Sequence, residues 1–304
     1  AKNSNRRYLA SKLGNMDWTQ SQIVLTHFGE LGRVTINTDV YNNSYMRNWL
    51  KFNGFNGAGD ARDVINNVEG TDKTLLDILR GSEDSSSPIG TDKLKIGGND
   101  RSYYAKGVQT AVYVPLNADK KSQHSLKIGL RYHGDGIERD HTEDLYSMQN
   151  GQLVNDGSAT KTTKTNVDSS SAISTYLNYK YESPKVQTIT GVRIENVSTS
   201  RNDRSVDNAD SENQDQVVSP GAGVYYQLEE NIGLLFGVHK GYTLVGPGQA
   251  DNIKPEEALN FEFGTRIFNG PTFAELIGFY SDYSNIKGTC TFSAGCSSTS
   301  IDTE

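Results

Sequence analysis

Apolar residues recur at every second position in several stretches of this chain. Leu259, Phe261, Phe263, Thr265 and Ile267 alternate with Asn260, Glu262, Gly264 and Arg266. Leu126, Ile128, Leu130 and Tyr132 alternate with Lys127, Gly129, Arg131 and His133. The same split separates Ile173, Thr175, Leu177, Tyr179 and Tyr181 from Ser174, Tyr176, Asn178 and Lys180. It recurs at Val34–Tyr41 and, less cleanly, at Leu234–His239. A period of two sends successive side chains to opposite faces of a strand, whereas a helix spaces its apolar positions three and four apart. Residues 104–114, 187–196, 217–228 and 272–283 are rich in strand formers but mixed on both faces. In the last of these Glu275 and Asp282 fall on opposite parities, so its faces stay unassigned. Residues 17–28 are polar until Ile23. The pattern predicts about ten strands.

The connections sort into two classes that alternate along the chain. Short ones lie at Gly29–Gly32, Asn117–Lys121, Glu182–Lys185, Glu229–Asn231 and Asn269–Pro271; long ones at about 52–100, 140–171, 197–215, 243–257 and 284–304. Short turns on one rim and long loops on the other are the layout of an outer-membrane barrel. A sandwich has no reason to sort its loops in this way, and long structureless loops suit a compact soluble domain poorly. The expected fold is therefore all-β: an antiparallel up-and-down transmembrane β-barrel, its apolar set facing lipid and its polar set facing a wet lumen. Arg131, Arg193, Arg266, Lys127 and Lys180 are then solvated inside the barrel; in a soluble sandwich they would be buried charges in need of partners.

Composition agrees without deciding. Only 35% of the 304 residues are hydrophobic and no run is long enough for a membrane helix, but a barrel strand shows lipid only every second side chain and looks soluble by hydropathy. Tyr (16) outnumbers Phe (10) and Gly reaches 30, which suits aromatic girdles and tight turns. The net charge of -7 lacks the basic footprint of a nucleic-acid partner. The chain starts at Ala1 without a signal segment and ends at Glu304 in a polar stretch, so it reads as an internal fragment. Residues 156–171 and 198–216 are almost wholly polar and predict flexible loops. Thr74–Arg80 predicts a short amphipathic helix ending at Gly81. Cys290 and Cys296 flank a short polar stretch; a disulfide is the favoured reading, with free thiols or a metal pair as alternatives.

Several segments resemble the TonB-dependent outer-membrane receptors, closest to the ferric-citrate branch. They are Gly14-Asn-Met-Asp-Trp-Thr-Gln-Ser-Gln, Tyr45-Met-Arg-Asn-Trp-Leu-Lys, Tyr103-Tyr-Ala-Lys-Gly-Val-Gln, Arg131-Tyr-His-Gly-Asp-Gly-Ile-Glu-Arg, Gly237-Val-His-Lys-Gly-Tyr and Asn252-Ile-Lys-Pro-Glu-Glu-Ala-Leu-Asn-Phe-Glu-Phe-Gly, followed by Phe279-Tyr-Ser-Asp-Tyr-Ser-Asn-Ile. The resemblance runs from Gly14 to about Cys296. It implies a 22-stranded barrel filled by a plug domain, of which residues 1–304 supply about ten strands from the middle and later part, an open curved sheet in isolation. Plug, TonB box and terminal strands would lie outside the chain. The implied function is TonB-dependent uptake of a ferric chelate, such as ferric citrate or a related carboxylate siderophore, across the bacterial outer membrane. That is transport rather than catalysis, and it needs no cofactor. The implied partners are the chelate, outer-membrane lipid, and TonB through the plug; no nucleic acid is expected. The rival readings are a passive porin and a secreted, soluble β-rich domain.

An anionic chelate calls for cationic and amide donors, and arginine pairs bidentately with carboxylates. Arg47, Arg131, Arg139, His239 and Lys240 lie near expected outer strand ends, and Gln249 sits in Gly246-Pro-Gly-Gln-Ala-Asp, a position resembling a ligand-contacting region of ferric-citrate receptors. The candidate ligand-binding set is Arg47, Arg131, His133, Arg139, Lys240 and Gln249. The run Arg131, His133, Asp135, Glu138, Arg139, Asp140, His141 is also rich enough in donors for a metal. The plainer reading is a polar lumen wall on which Arg131 and Arg139 pair with Asp135 and Glu138; an arriving iron would already be chelated. The acidic stretch from Asp207 to Asp215 lacks the glycine and closing glutamate of a calcium loop.

Overall fold

A computed structural model describes residues 8–57, 61–66, 73–86, 90–118, 121–204, 210–249, 253–289 and 301–303. Ten long strands run up and down in chain order: β1 (Asn15–Leu31), β2 (Val34–Phe55), β3 (Leu94–Ala118), β4 (Gln123–Gln149), β6 (Lys161–Glu182), β7 (Val186–Asp203), β8 (Ser211–Glu229), β9 (Ile232–Thr243), β10 (Glu256–Asn269) and β11 (Thr272–Ser284). Each pairs antiparallel with its predecessor, and a short β5 (Gln152–Asn155) folds back on the end of β4. A separate pair, β12 (Lys287–Thr289) with β13 (Ile301–Thr303), follows. The result is one open meander whose edges are β1 and β11. Every expected strand is present.

The register links the alternating sets into continuous rows. Val40, Val108, Tyr132 and Ile173 are successive cross-strand neighbours, as are Val112, Ile128, Leu177 and Val192. Val224, Phe236 and Phe263 continue the same face. These side chains lie open on the outside of the sheet: Leu130 is 52% exposed and Phe263 58%. None of this set is among the buried hydrophobic residues. A soluble sandwich would have sealed these rows in its centre, so the exposure removes that rival. The register also settles β11: Tyr280 pairs with Phe261 and Leu276 with Thr265, on the outward face, while Glu275 pairs with inward Arg266.

Short turns close the lower rim. Leu31 pairs with Val34 and Asn269 with Thr272, leaving two-residue turns in which Gly32 (φ 62) and Gly270 (φ 57) take the left-handed conformation. At the upper rim the structure departs from expectation. The polar stretch within 140–171 is mostly strand. β4 continues to Gln149, the Asn150-Gly151 turn (φ 49 and 72) starts β5, and β6 begins at Lys161. Likewise β7 and β8 claim much of 197–215. These extensions stand above the apolar band, where neither face needs alternation. Their Ser and Thr side chains suit a pleated surface, and the ladder satisfies the backbone.

The compact hydrophobic cluster sits on the upper rim, not beneath the sheet. The expected helix is α2 (Lys73–Arg80), preceded by α1 (Ala61–Asn66). Its Leu76, Ile78 and Leu79 pack with Ala10, Phe55, Val64, Leu94 and Met148. Gly81 (φ 80) ends the helix, its N–H donating to Ile78 O at 3.0 Å and that of Ser82 to Asp77 O at 3.0 Å. Among the described residues no helix is long and apolar enough to cross a membrane; barrel proteins cross with strands. Cys290, Cys296 and Asp207 lie outside the described residues.

Candidate functional site

Three consecutive strands place one arginine each at the same height on the inner face. Arg47 on β2 is the direct partner of Arg101 on β3, and Arg101 that of Arg139 on β4. Like charges directly opposite one another destabilise a sheet, so the row needs something to offset it. Arg139 is neutralised by Asp168 on β6, which also accepts from Arg201 on β7 at 2.7 and 2.9 Å. Arg101 Nε donates to His141 Nε2 at 3.0 Å, an uncharged acceptor. Arg47 lies 5.8 Å over the Trp49 ring, and its Nε is buried without a hydrogen-bond partner. No carboxylate of the described residues pairs with Arg47 or Arg101.

The surrounding charges reinforce this. On β4 the outward face is apolar from Leu126 to Tyr132 and then turns to Gly134, Gly136, Glu138 and Asp140, so the arginine row stands clear of the lipid-facing band. Burial, and then the positive charges of Arg101, Lys164, Arg139 and Lys51, push His141 down to about 4. Lys51 is lowered by burial and by Arg101 and Arg47; Lys164 is lowered by burial and by Arg139 and Arg201. Burial would raise the Asp168 carboxyl, but the hydrogen bonds and charges of Arg201 and Arg139 overcome it and hold the group at about 2. Burial leads the shifts of His141, Lys51 and Lys164, and neighbouring positive charge adds to each of them.

Below the row lies a concavity of about 510 Å³ lined by Tyr45, Tyr103, Arg139, Asp168, Ser170 and Pro247, among others. Tyr45 and Tyr103 are cross-strand partners with ring centroids 5.5 Å apart, and Trp18 extends the aromatic shelf at 6.3 Å. Pro247 comes from the connection after β9, which folds inward to close one side.

The structure thus gathers some expected residues and separates others. Arg47 and Arg139 share the row, and the Gln249 loop arrives beside it through Pro247. Arg131 and His133 sit lower on the same wall, joined through Tyr41. The Tyr41 hydroxyl is 2.6 Å from His133 Nδ1 and accepts from Arg131 at 3.1 and 3.2 Å. Lys240 stands apart, in register with outward Leu259 and 2.8 Å from Glu257. The expected pairing of Arg131 and Arg139 with Asp135 and Glu138 does not form: Asp135 lies 3.7 Å from His133, and Glu138 pairs with Arg204 at 2.8 Å. Arg101, Asp168, Arg201 and the tyrosine shelf complete the site and were not anticipated. Only the register, which sets Arg101 between two anticipated arginines, brings them in.

Residues 2–298 match the family "TonB dependent receptor-like, beta-barrel". The chain belongs to the TonB-dependent receptor barrels. It is thereby a barrel of the bacterial outer membrane, from a family of transporters rather than enzymes. Among solved structures, this receptor barrel is similar to the ferric citrate transporter FecA in its unliganded form (16% identity, TM-score 0.66, 90% of this chain and 35% of that one). It is also similar to the ferric-catecholate import receptor Fiu of E. coli (12% identity, TM-score 0.65, 99% and 45%). A third is the siderophore receptor PiuA of Acinetobacter baumannii (14% identity, TM-score 0.63, 90% and 41%). At these identities the likeness is one of fold. The receptor barrel spans less than half the length of each of these structures. Comparison with curated proteins gives no significant match.

Proposed function

We propose that this chain forms about ten strands of a plugged, 22-stranded receptor that imports an anionic ferric chelate, a carboxylate complex such as ferric citrate, with energy delivered through TonB. The observation that carries the reading is the row Arg47–Arg101–Arg139, two members of which have no carboxylate partner among the described residues. A wall that accumulates unneutralised guanidinium groups in a partly dehydrated recess is complementary to clustered carboxylates, each bound by two parallel N–H donors. Arg131 and His133 extend the donor set toward the lumen, and Gln249 supplies an amide at the mouth. Lys240 would join only if its pair with Glu257 opened. FecA is named for ferric citrate and Fiu for a ferric catecholate, so fold alone does not choose the cargo; the charge of the wall favours the carboxylate.

The test is equilibrium binding of the full-length receptor to ferric citrate and to an uncharged ferric hydroxamate. Ferric citrate should bind at least tenfold more tightly, and its affinity should fall as salt rises. Equal affinity for the two, or preference for the hydroxamate, would remove the proposal.

A further inference from the structure

Asp168 occupies an odd position for a residue in a site built to attract anions. Its side chain is 5% exposed, yet it lines the concavity together with Arg139 and Pro247. It takes a hydrogen bond from Arg139, two from Arg201 and one from Asn166 at 2.8 Å. Arg201 is its direct cross-strand partner, while Arg139 reaches it diagonally, being paired with Asn166. The carboxylate therefore does for these two arginines what a cargo carboxylate would do.

Arg201 has a second neighbour. The turn Gly246–Gln249 lies on it: a Cβ built at Gly248 would fall 2.1 Å from Arg201 Nη1, and the left-handed φ of 82 favours glycine at this position. The turn is tied to β8 by Asn213 Nδ2, which donates to Gln249 O at 3.1 Å. Val245 at its root is 3% exposed. The turn that carries Pro247 over the concavity thus rests against a guanidinium that Asp168 holds.

We propose that Asp168 is a resident competitor for the anionic cargo: it occupies Arg139 and Arg201 in the empty receptor, and a ligand carboxylate that takes these arginines also unseats the turn Gly246–Gln249. This rests on the anionic-cargo reading. A second carboxylate entering the pair meets the repulsion of Asp168 and the donors it already holds, so cargo and Asp168 compete for the same arginines. Asp168 is then a specificity-determining residue. It sets a threshold that weak or singly charged anions fail to cross, and it couples occupancy of the wall to the turn that borders the mouth.

The experiment uses the full-length receptor and its Asp168→Asn, Asp168→Glu and Gly248→Ala variants. Hydrogen exchange of residues 244–249 is followed with and without ferric citrate, alongside binding of ferric citrate and of free citrate at two salt concentrations. Asp168→Asn should raise exchange of the turn at least tenfold without ligand, to the level of the ligand-saturated wild type. It should also bind ferric citrate at least fivefold more tightly, with a steeper salt dependence. Gly248→Ala should raise exchange of the turn without steepening the salt dependence of binding, because the arginines remain held. Asp168→Glu should restore protection of the turn. The inference is overturned if ferric citrate binds the wild type while the turn ignores both ligand and Asp168→Asn. It is equally overturned if Asp168→Asn weakens binding, since Asp168 would then merely align the arginines. If the wild type binds no citrate species but Asp168→Asn still frees the turn, the cargo assignment fails and the role of Asp168 in seating the turn stands.

Discussion

A guanidinium with no carboxylate partner among the described residues is costly to keep, and that cost makes Arg101 the most informative single residue. It sits between Arg47 and Arg139 and donates to a neutral imidazole. Charge-assisted hydrogen bonds contribute about 1.5–3 kcal/mol each, so Arg101→Ala should weaken ferric-citrate binding by roughly 10- to 100-fold in a titration of the full-length receptor. Arg101→Lys should recover little, because an ammonium cannot form the planar two-donor fork. His141 carries the pH prediction. Its folded-state value of about 4 lies below the ordinary 6.5, so the unfolded chain takes up its proton first as pH falls. The contribution of His141 to stability is full above pH 6.5 and declines between 6.5 and about 4. In the folded receptor it stays neutral above roughly pH 5, so His141→Gln should leave the pH profile of ligand binding between 5 and 7 unchanged. A profile that altered on this substitution would show His141 charged in that range. Arg47 and Arg139 could be picked out as cations near strand ends. Arg101, Asp168 and Arg201 could not, since cross-strand neighbours 54, 29 or 33 residues apart in sequence are joined only by register.

At the scale of elements, the strands were legible wherever lipid imposes a period of two and illegible where it does not. Above the band, Lys161–Ser171 shows polar residues on both faces and reads as a loop, although the ladder pairs it with β4 on one side and, from Asn166, with β7 on the other. A usable signal was present in Asn150-Gly151, the dipeptide of a two-residue hairpin, which marks the turn into β5. The helix was legible because its apolar residues recur at helical spacing and Gly81 follows. Its anchoring cluster is local to the upper rim, so Leu76→Ala, at a fully buried position, should cost about 2–5 kcal/mol there. Hydrogen exchange should rise across residues 73–80 while β4 and β6 below the rim keep their protection. Exchange rising equally throughout would show that the cluster is not an independent unit.

For the whole molecule, the outward direction of the apolar rows is the property on which the assignment depends. It was readable because Ile128 and Leu130 could not share a face with Arg131, and the register confirms the separation across β3, β4 and β6. Ile128→Arg, in mid-band, should destabilise the full-length receptor by about 2–4 kcal/mol in urea unfolding from lipid vesicles. Gln109→Lys, on the inward face beside Asp39, should change stability little. A reversed order of the two would place hydrocarbon on the wrong side of the sheet.

The hydrophobic cluster on the upper rim ties together pieces that are far apart in sequence. Residues 8–10 ahead of β1, the helix between β2 and β3, and Met148 and Leu153 around the β4–β5 hairpin all meet in it. Ser85 and Asp84 add hydrogen bonds to Met148 and Asn150. It works as a clasp over four adjacent staves of the palisade, whereas the described residues of β9, β10 and β11 have no such fastening. The mouth is therefore stiff on one side and compliant on the other. Any widening to admit a bulky passenger, or to let one through, would swing about the clasped side as a door about its hinge post.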